Sequence, residues 1–329
     1  MPPTDLHRAS LVIDGLNASY FQDRAVLERI HQGGVTAVNA TIAAWHAMPE
    51  TITLLADWPD HFVQHADLIR PVRTPDDILA AKAEGRVGVI LGFQDTRPLE
   101  DNARLVSVYH ALGVRIIQLT YNERNRVGCG CLVADDDGLT EFGRAVIGEM
   151  NRYGVLVDLS HVGPRTTLDA IEASAQPVAI THANSRTRCP HPRNKTDEAI
   201  RAVAGRGGVV GAVAFPPLVT GRMDATLDDY LDTIEYLVQL VGVDHVGIGA
   251  DFMENMPTEI LQKALGGGRE GPPPADVVNL FLATATQGFA SAAAFPHVTE
   301  GLLRRRFSED DIQQILGLNW LRLYRAVWR

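Results

Sequence analysis

Apolar residues fall into short, nearly unbroken runs separated by longer stretches of mixed character. Eight such runs lie at residues 11–14, 35–39, 87–93, 114–120, 155–159, 178–181, 209–213 and 246–249. Continuous apolar character over so few residues is what a strand needs when helices cover both faces of a parallel sheet. Between the runs, segments 76–84, 99–112, 139–153, 166–174, 196–206 and 227–240 place apolar residues at helical spacing. Glycine closes most of them, at Gly85, Gly113, Gly154, Gly207 and Gly242. The residue after a helix often needs a positive φ, which glycine adopts freely.

Eight strand–helix repeats predict a (β/α)8 barrel. The alternative is an open doubly wound sheet, but no glycine-rich phosphate turn follows the first run. One barrel domain is expected over residues 1–329. Ser308 followed by Glu309, Asp310 and Asp311 reads as a helix start with carboxylates in its first turn. Ile312, Ile315, Leu316, Leu323 and Val327 then continue at helical spacing, so a closing helix packed on the barrel is expected. Residues 266–274, GGGREGPPP, are expected to form a flexible loop.

Composition narrows the function classes. The 329 residues include 30 Lys+Arg and 40 Asp+Glu, a net charge of −10. That balance provides no basic face for nucleic acid or for an anionic membrane. No apolar run approaches the ~18 residues of a membrane span. Three cysteines, Cys129, Cys131 and Cys189, are too few for a disulfide framework. The opening MPPTDLHRAS has no apolar signal core. A cytoplasmic protein is expected.

In a barrel of this kind chemistry sits at the C-terminal ends of the strands. The runs end at Asp14, Asn39, Gln94-Asp95, Tyr121-Asn122, Asp158 to His161, Thr181-His182, Phe215 and Asp251. Two histidines on neighbouring strand ends, with Asp251 on another, point to a metal or acid–base site. Neutral imidazole is a common Zn²⁺ ligand, and a carboxylate can take a proton from water. Arg193 follows the sixth run and suits a substrate carboxylate or a surface ion pair. Cys129-Gly-Cys131 is a weak metal signal, because no second cysteine pair exists.

The motifs VIDG, GFQ, LGVRIIQLTYNERN, GLTEFGRAVIGEMNRYGVLVDLSH, PVAITHANSR, HPRN, HVGIGADF and EDDIQQILGLNWLRLYRAV resemble the renal (membrane) dipeptidase family of metallopeptidases, from about residue 11 to 328. The resemblance implies an amidohydrolase-type barrel with two zinc ions, bridged by a glutamate and a hydroxide, that hydrolyses dipeptides. It places His161 and His182 on one zinc, Asp251 on the acid–base residue and Arg193 on the substrate carboxylate; a homodimer is also implied. The sequence departs from the family at four positions. Leu16 and Ala18 stand where a histidine and an aspartate hold the other zinc, Gln94 where the bridging glutamate stands, and Tyr121 where a histidine polarises the substrate carbonyl.

Leu16 and Ala18 have no donor atoms and Gln94 has no charge, so one Zn²⁺ at most is expected, held by His161 and His182 and completed by Gln94, Asp251 or water. The expectation is a dipeptidase-like hydrolase cleaving an amide bond in a small carboxylate-bearing substrate. Asp251 and Tyr121 would be catalytic, and Arg193 and Asn122 would bind substrate. The alternatives are a non-hydrolytic enzyme acting on an amino-acid-derived metabolite, or a binding protein without turnover.

Overall fold

A computed structural model describes residues 1–265 and 273–329, so most of the expected 266–274 loop lies outside the described residues. Strands Ile13–Asn17, Ala37–Ala43, Val87–Phe93, Val114–Gln118, Leu156–Asp158, Ala179–Ile180, Val209–Ala212 and Val246–Ile248 coincide with the eight apolar runs. Each pairs in parallel with the next, and Ile248 registers with Asp14 to close the ring. The fold is a (β/α)8 barrel. A further strand, Ile69–Val72, pairs with the first half of Val87–Phe93. The apolar pattern missed it because Arg70 and Pro71 interrupt it, and Pro71 has no N–H to give a ladder.

Helices Pro75–Glu84, Glu141–Tyr153, Pro164–Ala173, Asp197–Gly205 and Leu227–Val241 fall where the spacing put them. Thr74, Thr140, Thr196 and Thr226 cap four of them through side-chain oxygens. The expected 99–112 helix is shorter. A 3₁₀ turn, Arg97–Leu99, is separated from helix Leu105–Ala111 by Glu100 at φ 50°, a backbone no helix accepts. Helices Met48–Ala56, Trp58–Gln64, Thr258–Leu265, Ala275–Ala283 and Phe295–Arg304 were not anticipated. Among the described residues no helix is long and apolar enough to cross a membrane.

Ser308 accepts from Asp311 N at 3.1 Å and opens the C-terminal segment. Helix Glu309–Gln313 runs through one π-helical turn into helix Asn319–Val327. Fully buried Trp320 packs with Ile13, Ala37, Leu156, Ala179 and Val209, which open their strands or lie near the start. Its Nε1 donates to Ile248 O at 3.0 Å. Gly15, Gly211 and Gly247 make room for the indole: a Cβ on any of them would approach it to 2.5–3.0 Å. This end of the barrel is plugged by packing, which leaves the opposite mouth for chemistry.

Candidate active site at the barrel mouth

His161 and His182 follow the fifth and sixth barrel strands, and their Nε2 atoms face each other at 3.1 Å. Both rings are buried, His182 completely. Asp158 ties the two strand ends together. Its Oδ1 accepts from Ser160 N at 3.0 Å, Ser160 Oγ at 2.6 Å and Thr181 N at 2.9 Å, and its Oδ2 accepts from Thr181 Oγ1 at 2.7 Å. Thr181 Oγ1 also meets His182 Nδ1 at 2.7 Å. On the other side, His161 Nδ1 lies 2.8 Å from Asn122 Oδ1, which also accepts from Cys131 Sγ at 3.3 Å. Asn122, expected to touch substrate, has its side-chain oxygen beside His161. Its φ of 55° is a left-handed backbone that asparagine tolerates better than most residues.

Two buried cations stand beside the imidazoles. Arg193 donates Nη1 to Ser160 O at 2.6 Å and Nη2 to His182 O at 2.7 Å. A guanidinium has five N–H groups, so these bonds orient it without exhausting it. Lys195 donates to Thr167 Oγ1 at 3.2 Å and to Val162 O. Neither cation has an ion-pair partner among the described residues. Burial pushes Lys195 down to about 7, with Arg193 adding to the effect. Burial, and then Arg193, also hold both histidines well below the ordinary imidazole value, so both rings are neutral.

Asp251 follows the eighth strand in a left-handed conformation, φ 59°, with its N–H donated to Leu16 O at 3.0 Å. Its carboxylate has no hydrogen bond among the described residues. Burial raises its pKa to about 7 against the opposing pull of Arg193. Asp14, at the first strand, is also raised to about 7 by burial, although it accepts from Ala250 N at 2.9 Å and Asn17 Nδ2 at 3.2 Å.

Tyr121 stacks on His161 with centroids 4.0 Å apart and planes inclined by 22°, while Trp45 meets Tyr121 edge-on at 4.6 Å. The Tyr121 hydroxyl has no partner among the described residues. Gln94 donates its Nε2 to Thr41 Oγ1 at 2.8 Å, which leaves Oε1 as its acceptor end. A cleft open to solvent is lined by Asp251 together with Phe215, Phe252, Leu282 and Phe289. Among the described residues no group of three or more His, Cys, Asp or Glu is arranged to hold a metal. The two facing imidazoles are joined by no third ligand of these types among the described residues, a set that does not fit a pair of ions.

Strand-end reading located His161, His182, Asp251 and Arg193. It passed over Lys195 and Trp45, and it named Asp158 and Thr181 without a role. One signal was present: each histidine is preceded within three positions by a carboxylate or hydroxyl.

The profile of the family "Membrane dipeptidase (Peptidase family M19)" matches residues 6–262. Dipeptidase aclJ of Aspergillus oryzae is 30% identical over 73% of this chain and 51% of its own length. Dipeptidase tcpJ of Claviceps purpurea is 26% identical over 80% of this chain and 56% of its own length. The chain thus spans little more than half of these curated relatives. An amidohydrolase from Pseudomonas aeruginosa superposes with a TM-score of 0.93 at 36% identity, covering 100% of this chain and 99% of that one. A structure titled dipeptidase AC superposes with a TM-score of 0.82 at 20% identity, covering 97% of this chain and 99% of that one. With the family profile covering residues 6–262 of 329, the chain belongs to the membrane dipeptidase family, peptidase family M19.

Proposed function

We propose that the protein is a hydrolase that cleaves an amide bond in a small, dipeptide-like substrate bearing a carboxylate, with one metal ion at most. The observation that carries this reading is the pair of neutral imidazoles facing at 3.1 Å beside Asp251 and Arg193. His161 and His182 would hold the ion, with Gln94 Oε1 or water as further donors. When bound, a Zn²⁺ ion of this kind supplies Lewis acidity and a water of lowered pKa.

The chain's own residues account for the other roles. Asp251, with a pKa near 7 and no competing hydrogen bond among the described residues, is suited to take a proton from the attacking water and return it to the leaving amine. The unused N–H groups of Arg193 are suited to a substrate carboxylate, because its two bonds to strand-end carbonyls fix the fork. The Tyr121 hydroxyl, without a partner among the described residues, can donate to a developing oxyanion, and its stacking on His161 limits its motion. The cleft beside Asp251, lined by Phe215, Phe252, Leu282 and Phe289, offers an apolar wall to a substrate side chain.

The test is a panel of unblocked dipeptides and their C-terminal amides, incubated with protein loaded with Zn²⁺ and with metal-free protein. Release of free amino acids from the unblocked peptides alone is the expected result. No release from any unblocked peptide with the loaded protein would overturn the reading.

A further inference from the structure

The cleft that shares Asp251 with the barrel mouth also includes Ala214 and Ala250, just past the seventh and eighth barrel strands. Its polar side chains other than Asp251 are already engaged. Glu254 accepts from Ala292 N at 2.8 Å and pairs with Arg29. Thr284 donates to Leu280 O at 2.8 Å, and Thr286 donates to Ala214 O. Apart from Asp251, the side chains therefore offer a ligand apolar surface, chiefly that of Phe215, Phe252, Leu282 and Phe289.

This wall is braced before any ligand arrives. The Thr286 bond ties segment 284–290 to the end of the seventh strand. Phe289 stacks on Tyr230 with centroids 5.2 Å apart and meets Phe252 edge-on at 5.1 Å. Phe281 packs on Phe215 at 4.6 Å. Phe252 and Phe289 are buried, whereas Phe215 and Leu282 are only half-buried and keep surface for a ligand. Leu282 and Phe289 follow residue 262, where the match to the family profile ends, so this side of the cleft comes from a segment outside that match.

The order of the strands gives the cleft its place along a substrate. Arg193 donates to Ser160 O and His182 O, past the fifth and sixth strands. The cleft lies at the seventh and eighth, and neither histidine nor Arg193 lines it. A dipeptide with its carboxylate on Arg193 and its scissile amide at Asp251 has its N-terminal residue on the far side of Asp251. We infer that the cleft is the subsite for the side chain of that N-terminal residue, and that it selects leucine or phenylalanine there over glycine or aspartate. The end of the substrate named here rests on the hydrolase reading above. Burial of an apolar side chain against these rings removes its surface from water, while a carboxylate would lose its hydration beside Asp251 and gain no cation.

The test measures kcat/KM of Zn²⁺-loaded protein on Leu-Gly, Phe-Gly, Asp-Gly and Gly-Gly, with Gly-Leu and Gly-Phe varying the other end. Calorimetric Kd values for the same peptides replace it where none is cleaved. Leu-Gly and Phe-Gly are expected to exceed Gly-Gly and Asp-Gly by ~tenfold or more, a difference ordinary for one apolar pocket. Leu282→Lys places a cation in the wall at a half-buried position and is expected to lower the ratio of Leu-Gly to Asp-Gly at least ~tenfold. A ratio is read within each variant, so a general loss of activity does not imitate the effect.

Cleavage with equal values for Leu-Gly and Gly-Gly would overturn the subsite and leave the hydrolase reading standing. A preference that follows the C-terminal residue would overturn the placement, as would an unchanged ratio in Leu282→Lys. If nothing is cleaved but Leu-Gly binds ~tenfold more tightly than Gly-Gly and Leu282→Lys removes the difference, the subsite is sustained and the hydrolase reading fails. Absence of both cleavage and binding preference would overturn both.

Discussion

His161 Nε2 lies 3.1 Å from His182 Nε2, although 21 positions separate the two residues. No third protein ligand of the His, Cys, Asp or Glu type joins them among the described residues. Two zinc ions ~3.5–4 Å apart need negative ligands between them. Leu16 and Ala18 offer no donor and Gln94 no charge. Elemental analysis after dialysis is expected to find at most one Zn²⁺ per chain, and a value near two would contradict this. The combined change Leu16→His, Ala18→Asp and Gln94→Glu is expected to raise metal content.

Arg193→Ala is expected to raise KM at least tenfold for dipeptides with a free carboxylate. Arg193→Lys should recover only part of that loss, because a lysine cannot reproduce the fork that reaches Ser160 O and His182 O. Steady-state kinetics on free and amidated substrates separates the outcomes. Equal turnover of both substrates by the parent protein would remove the clamp.

Asp251 must be ionised to accept a proton, and its pKa lies near 7. The value of kcat/KM is therefore expected to rise about tenfold per pH unit below pH 7 and level off above it. Asp251→Asn should lose ~10²–10⁴ in kcat and flatten that limb. A pH profile unchanged in shape by the substitution would assign the proton transfer to another group.

Asp14 tests the cost of burying a carboxylate. Its folded pKa of about 7 lies above the ~3.9 of an unfolded chain. The folded state thus holds a proton that the unfolded state releases. The stability this contributes is complete below pH ~4 and is lost as pH rises through about 7. Asp14→Asn keeps an acceptor for Ala250 N and removes the titration. The Tm of the parent, minus that of the variant, is expected to fall between pH 5 and 8 by on the order of 2 °C. A constant difference would show that Asp14 does not titrate in this range.

Gly15 and Trp320 define the plugged end. A Cβ on Gly15 would lie 2.5 Å from Trp320 Cζ2 and 2.9 Å from Ile248 O. Gly15→Ala is expected to cost ~1–3 kcal/mol by overpacking. Trp320→Ala is expected to cost ~3–5 kcal/mol by leaving a cavity. Urea unfolding midpoints check both, and an unchanged midpoint in Gly15→Ala would mean that the indole moves aside.

The amino-acid sequence by itself determined the barrel strands, because burial on both faces leaves a local mark: a short apolar run such as residues 87–93 or 246–249. It also determined which residues reach the mouth, since the polar residue ending a buried strand has one place to go, as His182 and Asp251 do. Strand Ile69–Val72 was decided by its partner, because a strand broken by Arg70 and Pro71 has no pattern of its own. The roles of the polar side chains were likewise decided in three dimensions. Asn122 meets the ring of a residue 39 positions away, Arg193 reaches a carbonyl 33 positions away, and Asp14 accepts from a residue 236 positions away. Hydrogen bonds are short and directional, so closure of the ring settles which donor meets which acceptor, and no local periodicity encodes that choice.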